Sequence, residues 1–566
     1  MRSIGRYVGA SVIATLLSGS FVPLASAHTL PGTYKFTPNP QVDAVFAKFD
    51  STTSPGCSAA AAKDGKLIYS RGYGMANLDH SVPNTPQTPF HVASVSKQFT
   101  AASIVLLAQE GKLSLDDDVR KHLPEVPDLG ATITLRQLIH HTSGVRDQWE
   151  LLGLAGWRYS LDRINDDDVL RLMTRQRKLN FAPNSRYLYS NMGYTLLALV
   201  VKRVSGQSLR EFTTERIFKP LGMGNSHFRN DHAEIVPGFA NGYERADDSF
   251  KTSVTNFDTT GATSLLTTAE DLLRWDENFY TGQVGGAAFT EQMLERGVLS
   301  DGEKIPYAFG LMHDTYRGLE TVGHGGADAG YRATVLRFPK QHFGVTVACN
   351  IAEAQPDVLA KGIADVYLSA QLQPKTEKDL ATPKPIKVSA KALHDKVGVY
   401  LNRLDGQFLR IVEKDGRLQT VRPSGSTQGL IPVGANRFRF EPFPAAVFEF
   451  SGAGEQRTVT VRVGEQKPST YISAPEFSPT PTELNEYAGL FASEELDVRY
   501  RMLIKDGSLH MATLKSNPMP LQAVTKDVFA HPFSTITFVR DSGGRITGCS
   551  VSSGRAWNNE FVKLAE

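Results

Sequence analysis

Short apolar runs alternate with longer ones through the first two-thirds of the chain, and their lengths separate strands from helices. Ser58–Ala62 and Leu67–Tyr73 flank the turn Lys63-Asp64-Gly65-Lys66 and predict two strands of a hairpin. Phe99 to Glu110 is apolar and stops at Gly111, which predicts a helix; Tyr194 to Val204, stopping at Ser205-Gly206, predicts another. Ala333–Phe338 and Phe343–Asn350 read as buried strands joined by a short turn. Strands and helices mixed in this order predict an α/β (α+β) domain in which helices cover a sheet.

The pattern changes near residue 372. QPKTEKDLATPKPIKVSA has no hydrophobic period and is rich in Pro, Lys and Thr, so 372–389 reads as a linker. Beyond it the chain is strand-like and repeats itself. GVYLNRLDGQFLRIVEKDGRLQT begins at Gly398, and GLFASEELDVRYRMLIKDGSLHM begins 91 residues later at Gly489. Asp415/Asp506, Gly416/Gly507, Leu418/Leu509, Leu430/Leu521 and Phe438/Phe529 keep that offset, and Phe448/Phe538 slips by one. K-D-G-x-L between alternating apolar residues predicts a hairpin in each copy, so 390–474 and 475–566 read as two small antiparallel β-barrels. SAPEFSPTPTE divides them.

Composition adds little except at the amino terminus. A chain of 566 residues with 41% hydrophobic content holds more than one domain, and a net charge of +2 with interspersed signs gives no footprint for nucleic acid or an anionic membrane. MRSIGRYVGASVIATLLSGSFVPLASA has two arginines, an apolar run and Ala25-Ser26-Ala27, the layout of a cleavable export signal over 1–27. The mature chain then begins near His28, is periplasmic or secreted, and keeps no membrane anchor. Export permits disulfides, yet Cys57, Cys349 and Cys549 are scattered and odd in number, so three isolated packed cysteines is the expectation, with one unspecified pair able to bond. No metal cluster or cofactor motif is visible.

The chemistry is concentrated at FHVASVSKQFTAA. A serine hydroxyl needs a base within hydrogen-bond reach, and Ser94 and Lys97 stand one helical turn apart on one face. A buried lysine loses its charge readily and can take a proton, and a helix start supplies N–H groups to a developing oxyanion. S-x-x-K is common by chance, and a helix start explains Ser94 or Ser96 equally well, so companions decide. FAPNSRYLYSNMGYTLLALVV offers Tyr189, a phenolic proton relay or a core aromatic, and Asn191, an amide for a substrate carbonyl or a helix cap. TVGHGGADAGYRATVLRF offers His324, with Gly325 and Gly326 permitting close backbone approach or forming a plain turn.

The three stretches in the order S-x-x-K, Y-x-N, H-x-G resemble the serine β-lactamase and penicillin-binding peptidase superfamily, in its class C and D-peptidase branch. LRQLIHHTSGVRD, RIFKPLGM and SLLTTAEDLLRW fall in the same order, and the likeness covers about 40–370 within an expected catalytic domain of 28–371. The resemblance implies that Ser94 forms an acyl-enzyme, Lys97 is its base, and Tyr189 relays protons to the leaving amine and to water. It also implies that Asn191 holds the substrate amide carbonyl, that His324 replaces the third-motif base, and that the N–H groups of Ser94 and Ala327, after Gly326, form the oxyanion hole. No metal is implied.

Specificity is less legible. Gly325 stands where many relatives carry a hydroxyl, which argues against strong carboxylate recognition. H-G-G followed by two barrels, with RDQWELL and RITGCSV, resembles the D-stereospecific aminopeptidases of the superfamily, whose last barrel sends a loop into the active site. The turn KSNPMP (515–520) is a candidate for that loop, although a surface hairpin tip describes it equally. The expected substrate is then a small peptide, amide or ester, foremost one with an N-terminal D-residue. A DD-carboxypeptidase or endopeptidase, an esterase, an acylable penicillin-binding module and a binding role for the repeats are the alternatives, and a homodimer is left open.

Overall fold

The structure is a computed structural model that describes residues 38–375, 385–463 and 467–565. The expected export signal, and 376–384 of the expected linker, lie outside the described residues.

The sheet has six strands: β1 (Cys57–Lys63), β2 (Lys66–Tyr73), β3 (Met312–Tyr316), β4 (Leu319–Asp328), β5 (Tyr331–Phe338) and β6 (Phe343–Cys349). Their order is β3-β4-β5-β6-β1-β2, with every neighbouring pair antiparallel. The β1–β2 turn closes because Asp64 and Gly65 both adopt positive φ, 50° and 72°, the pairing a two-residue hairpin needs. β6 is buried along its whole length, because both faces are covered. Val345 and Val347 share a core with Leu359 and Ile363, while Thr346 between them donates to the Ala269 carbonyl on the other face.

The helices that place the site are α1 (Lys97–Gln109), α2 (Gln148–Leu154), α3 (Asn191–Ser205), α4 (Ala269–Thr281) and α5 (Pro356–Tyr367). α5 and α4 are the two covers of the sheet, and α1 is buried along almost its entire length. Helix α1 begins at Lys97, two residues before the apolar run, and a 3₁₀ turn over Ala93–Ser96 leads into it. Among the described residues no helix is long and apolar enough to cross a membrane.

Eight antiparallel strands from Gly398–Leu401 to Ser469–Ala474 close into the first barrel. Nine strands from Gly489–Ser493 to Ala556–Lys563 form the second, which stays open between Met519–Pro520 and Gln522–Thr525. The repeat is structural: Gly398 and Gly489 have φ of 142° and 138°, and the Asp-Gly turns at 415–416 and 506–507 have φ of 53°/70° and 52°/72°. The open barrel is fused to the catalytic helices, since one apolar core runs from Leu151 and Leu172 to Tyr500 and Phe561.

The cysteine expectation is corrected. Cys57 and Cys349 lie directly opposite on β1 and β6 and form a disulfide, while Cys549 is free and buried in the second barrel. The sequence separation of 292 positions hid a pairing that only sheet order creates.

Candidate active site

Ser94 lies in the 3₁₀ turn, held up by the strained residue before it. Ala93 has φ of 47°, a left-handed conformation that is unfavourable by about 1 kcal/mol or more for a residue with a Cβ. The surroundings leave it no alternative. Val92 N–H donates to Leu265 O at 3.0 Å, and Ser96 Oγ accepts from Leu265 N–H at 3.0 Å. Ser96 is thus buried and occupied, and Ser94 is the hydroxyl that faces the cleft.

Lys97 follows one turn later and is buried. Its Nζ is 3.2 Å from Ser94 Oγ, 2.8 Å from Asn191 Oδ1 and 2.7 Å from the Ala262 carbonyl. Burial holds its pKa well below the ordinary lysine range; Asp147 and Asp328 oppose that shift and Arg555 adds to it. A neutral amine has two N–H donors and one lone pair. Asn191 Oδ1 faces Lys97 because its Nδ2 is turned to a carboxylate, and a carbonyl cannot donate, so both donors are taken. The lone pair is left for the Ser94 hydroxyl.

Asn191 is the first residue of α3 and follows the N-cap Ser190, so it is not itself the cap. Its side chain bridges instead: Nδ2 donates to Asp147 Oδ2 at 2.8 Å, and its backbone N–H donates to the same oxygen at 2.7 Å. One amide proton remains for a substrate carbonyl. Asp147 is fully buried, and its Oδ1 caps α2 through the N–H groups of Trp149 and Glu150 at 3.0 and 3.4 Å.

The Tyr189 hydroxyl is buried and makes no hydrogen bond within the protein. Burial pushes its pKa up, and Ser94 is close enough to oppose that rise without standing in hydrogen-bond geometry. The phenol is therefore a proton donor at neutral pH. Its ring lies tilted by 35° against His141 with centroids 4.2 Å apart, and His141 accepts the Ser190 N–H at 3.1 Å through Nδ1.

His324, on β4, is neutral. Its Nδ1 faces the Gly325 carbonyl at 2.6 Å and must carry the proton, so Nε2 accepts from Tyr307 O–H at 3.0 Å. Burial, then the nearby Lys97, lowers its pKa to about 4. Gly326 is where β4 meets the serine turn: a Cβ there would sit 2.1 Å from Val92 O and 3.2 Å from Ser94 N. Gly325 has open space, with only Ala333 O at 3.8 Å. Gly326→Ala is expected to push β4 off the turn and lower turnover at least about 10²-fold, the loss typical of one oxyanion donor, with Gly325→Ala nearly silent. Initial rates of the two variants check this.

Ser94, Tyr189, His324 and Ala327 line one cleft of about 490 Å³, together with the cation of Arg332 and the carboxylate of Asp357. A hydroxyl beside an amine whose burial favours the neutral form, with a protonated phenol close by, can attack a carbonyl carbon and return a proton to a leaving group. Residues 42–368 match the Beta-lactamase family. The chain belongs to the Beta-lactamase family. It is a serine hydrolase of that family, and its relatives share more than the catalytic domain. D-aminopeptidase of Gluconobacter oxydans (strain 621H) is 28% identical over 81% of this chain and 82% of its own. Penicillin-binding protein 4* of Bacillus subtilis (strain 168) is 27% identical over 73% of this chain and 91% of its own. The octameric penicillin-binding protein homologue from Pyrococcus abyssi covers 93% of this chain and 99% of its own, with a TM-score of 0.53 and 20% identity, which shows the fold.

Within this Beta-lactamase-family fold, reading the sequence singled out Ser94, Lys97, Tyr189, Asn191, His324, Gly326 and Ala327, and the fold brings these residues together. It missed Asp147, His141, Tyr307 and Arg555. Asp147 carried one signal, an Asp before the helical pattern QWELLGL, but that pattern speaks of a cap, not of Asn191. The 515–520 turn does not reach Ser94. It is mostly exposed, and Lys515 sits over the Trp157 ring at 5.2 Å. The turn that touches the site joins the last two strands, Ile546–Ser553 and Ala556–Lys563.

Proposed function

We propose that the chain is an exported serine hydrolase that releases N-terminal D-residues from small peptides, amides or esters through an acyl-enzyme on Ser94. The observation that carries the mechanism is the surroundings of Lys97 Nζ: Asn191 Oδ1 and the Ala262 carbonyl take two N–H donors at 2.8 and 2.7 Å, so the neutral amine turns its lone pair to Ser94 Oγ at 3.2 Å. Lys97 takes the Ser94 proton as Oγ attacks the acyl carbon. The N–H groups of Ser94 and Ala327 receive the oxyanion, and Tyr189 protonates the leaving amine and later shares a proton with the hydrolytic water. The free amide proton of Asn191 holds the substrate carbonyl. Neutral His324 shapes the cleft wall and presents no cation to a carboxylate.

The substrate class rests on the D-aminopeptidase relative, which the chain matches over 81% of its length, more than the catalytic domain alone. Export is supported by the leader-like sequence of 1–27 and by the disulfide between Cys57 and Cys349, a bond at home in oxidising compartments. The test is hydrolysis of D-alanine p-nitroanilide against its L-isomer, with Ser94→Ala as control. D-selective release that vanishes in the variant supports the proposal; equal rates for both isomers refute the specificity.

A carboxylate-directed reading has one observation in its favour, that Arg332 is among the residues lining the cleft, although its Nη1 donates to the Ala329 and Tyr331 carbonyls. What that reading lacks is a hydroxyl at 325, and the space for one is open. Gly325→Thr is expected to speed acylation by benzylpenicillin about tenfold or more, the worth of a hydrogen bond to a charged group. Stopped-flow acylation rates check it.

A further inference from the structure

The loop that carries Asp147 is gripped from the second barrel. Arg146 is buried with its Nη1 3.1 Å from Glu495 Oε1 and its Nη2 3.3 Å from the Asn558 carbonyl. Asp147 N–H donates to the Arg555 carbonyl at 3.1 Å, and the Arg555 guanidinium meets Asp147 Oδ1 at 3.2 Å. The turn is anchored again by Asn180, whose Nδ2 donates to Arg555 O at 2.9 Å and whose Oδ1 accepts from Trp557 N–H at 2.8 Å. Arg555 thus ends a continuous chain: guanidinium, Asp147 carboxylate, Asn191 amide, Lys97 amine, Ser94 hydroxyl.

We infer that Arg555, supplied by the last hairpin of the second barrel, is a positioning residue of the active site that holds the Asp147 carboxylate on Asn191 and so keeps the Asn191 carbonyl on Lys97. This rests on the reading of Ser94 and Lys97 as nucleophile and base. Geometry explains why an arginine is needed. Asp147 Oδ2 is spent on both Asn191 donors, and Oδ1 has only the two α2 N–H groups besides Arg555. Without the guanidinium, a fully buried carboxylate keeps an uncompensated charge next to the amide it must orient. Charge gives the same answer. The groups facing Lys97 are the anions Asp147 and Asp328, the cation Arg555, and the uncharged His141, His324, Tyr189 and Tyr194. Removing Arg555 takes away the cation that counters the two anions at Lys97, which favours the ammonium form and removes the lone pair.

The experiment uses the full chain and p-nitrophenyl acetate, an activated ester that reports acylation whatever the natural substrate. Arg555→Met is expected to move the acidic limb of kcat/KM to higher pH by about one unit or more, the shift typical of losing a nearby charge. Arg555→Lys should keep the limb near its original place. Asp147→Asn added to Arg555→Met should move it back, because the anion is removed with its partner; a merely structural role predicts further damage instead. An unmoved limb in Arg555→Met overturns the inference while leaving Ser94 and Lys97 in place. A Ser94→Ala chain that still turns over the ester sinks the underlying reading instead. A crystal structure of Arg555→Met decides the geometry without activity: the amide swung away from Lys97 supports the inference, and an intact 2.8 Å contact from Asn191 Oδ1 to Lys97 Nζ overturns it.

Discussion

Lys97→Met is expected to lower kcat/KM for the D-alanine anilide by at least about 10⁴-fold with the fold intact, close to the loss in Ser94→Ala, because nucleophile and base act as one unit. Lys97→Arg should not rescue it, since a guanidinium stays protonated and offers no lone pair. The wild-type pH profile follows from the same amine. Lys97 works only when neutral, and burial holds its pKa well below the usual lysine value. Activity is therefore present above that lowered pKa and is lost as pH falls through it. Tyr189 is displaced the other way, so the phenol keeps its proton through neutral pH and no basic limb is expected there. Initial rates across the pH range for the three chains test this. A Lys97→Met chain within tenfold of wild type would remove lysine from the mechanism.

The second large effect is on stability. Glu495→Ala leaves the Arg146 guanidinium buried without its partner, with side-chain exposures of 1% for Arg146 and 6% for Glu495. Breaking a buried pair by removing one member costs about 3–5 kcal/mol. The same variant frees the Arg177 N–H, which Glu495 Oε1 accepts at 2.6 Å. The double replacement Arg146→Met with Glu495→Leu should recover the part of the loss that comes from the unpaired charge, because an apolar pair of similar volume carries no desolvation penalty, while the Arg177 N–H stays without this acceptor. Thermal and urea midpoints of wild type and the two variants measure it. If Glu495→Ala melts with wild type, the Arg146–Glu495 pair adds nothing net to the docking of the barrel. Because Asp147 follows Arg146 directly, Glu495→Ala should also depress turnover in the surviving folded fraction.

Much of the fold could be read along the chain. The β1–β2 hairpin was legible because Asp64-Gly65 is a local turn signal, and the barrels because the same turn recurs 91 residues on, at Asp415-Gly416 and Asp506-Gly507. Helix α1 was placed two residues late for an identifiable reason. Lys97 and Gln98 look like solvent residues, yet both are fully buried, and Gln98 Oε1 accepts from Trp275 Nε1 at 3.0 Å. Hydrophobic periodicity cannot see a polar side chain whose burial is made acceptable by a distant partner.

What the sequence by itself determined is local: the reach from Ser94 to Lys97, one turn apart, the tyrosine and asparagine flanking the start of α3, the glycines of β4, and the two β-units. What only the tertiary structure decided is the state of those groups. It picks Ser94 over Ser96 by burying one hydroxyl against Leu265, pairs Cys57 with Cys349, and brings Arg555 to Asp147 from the far end of the chain. The physical reason is that spacing along a helix is set by neighbouring residues, whereas protonation and hydrogen-bond occupancy are set by whatever else is buried there. For Lys97 those partners are Asn191, Ala262, Asp147 and Arg555, which no local pattern connects to it.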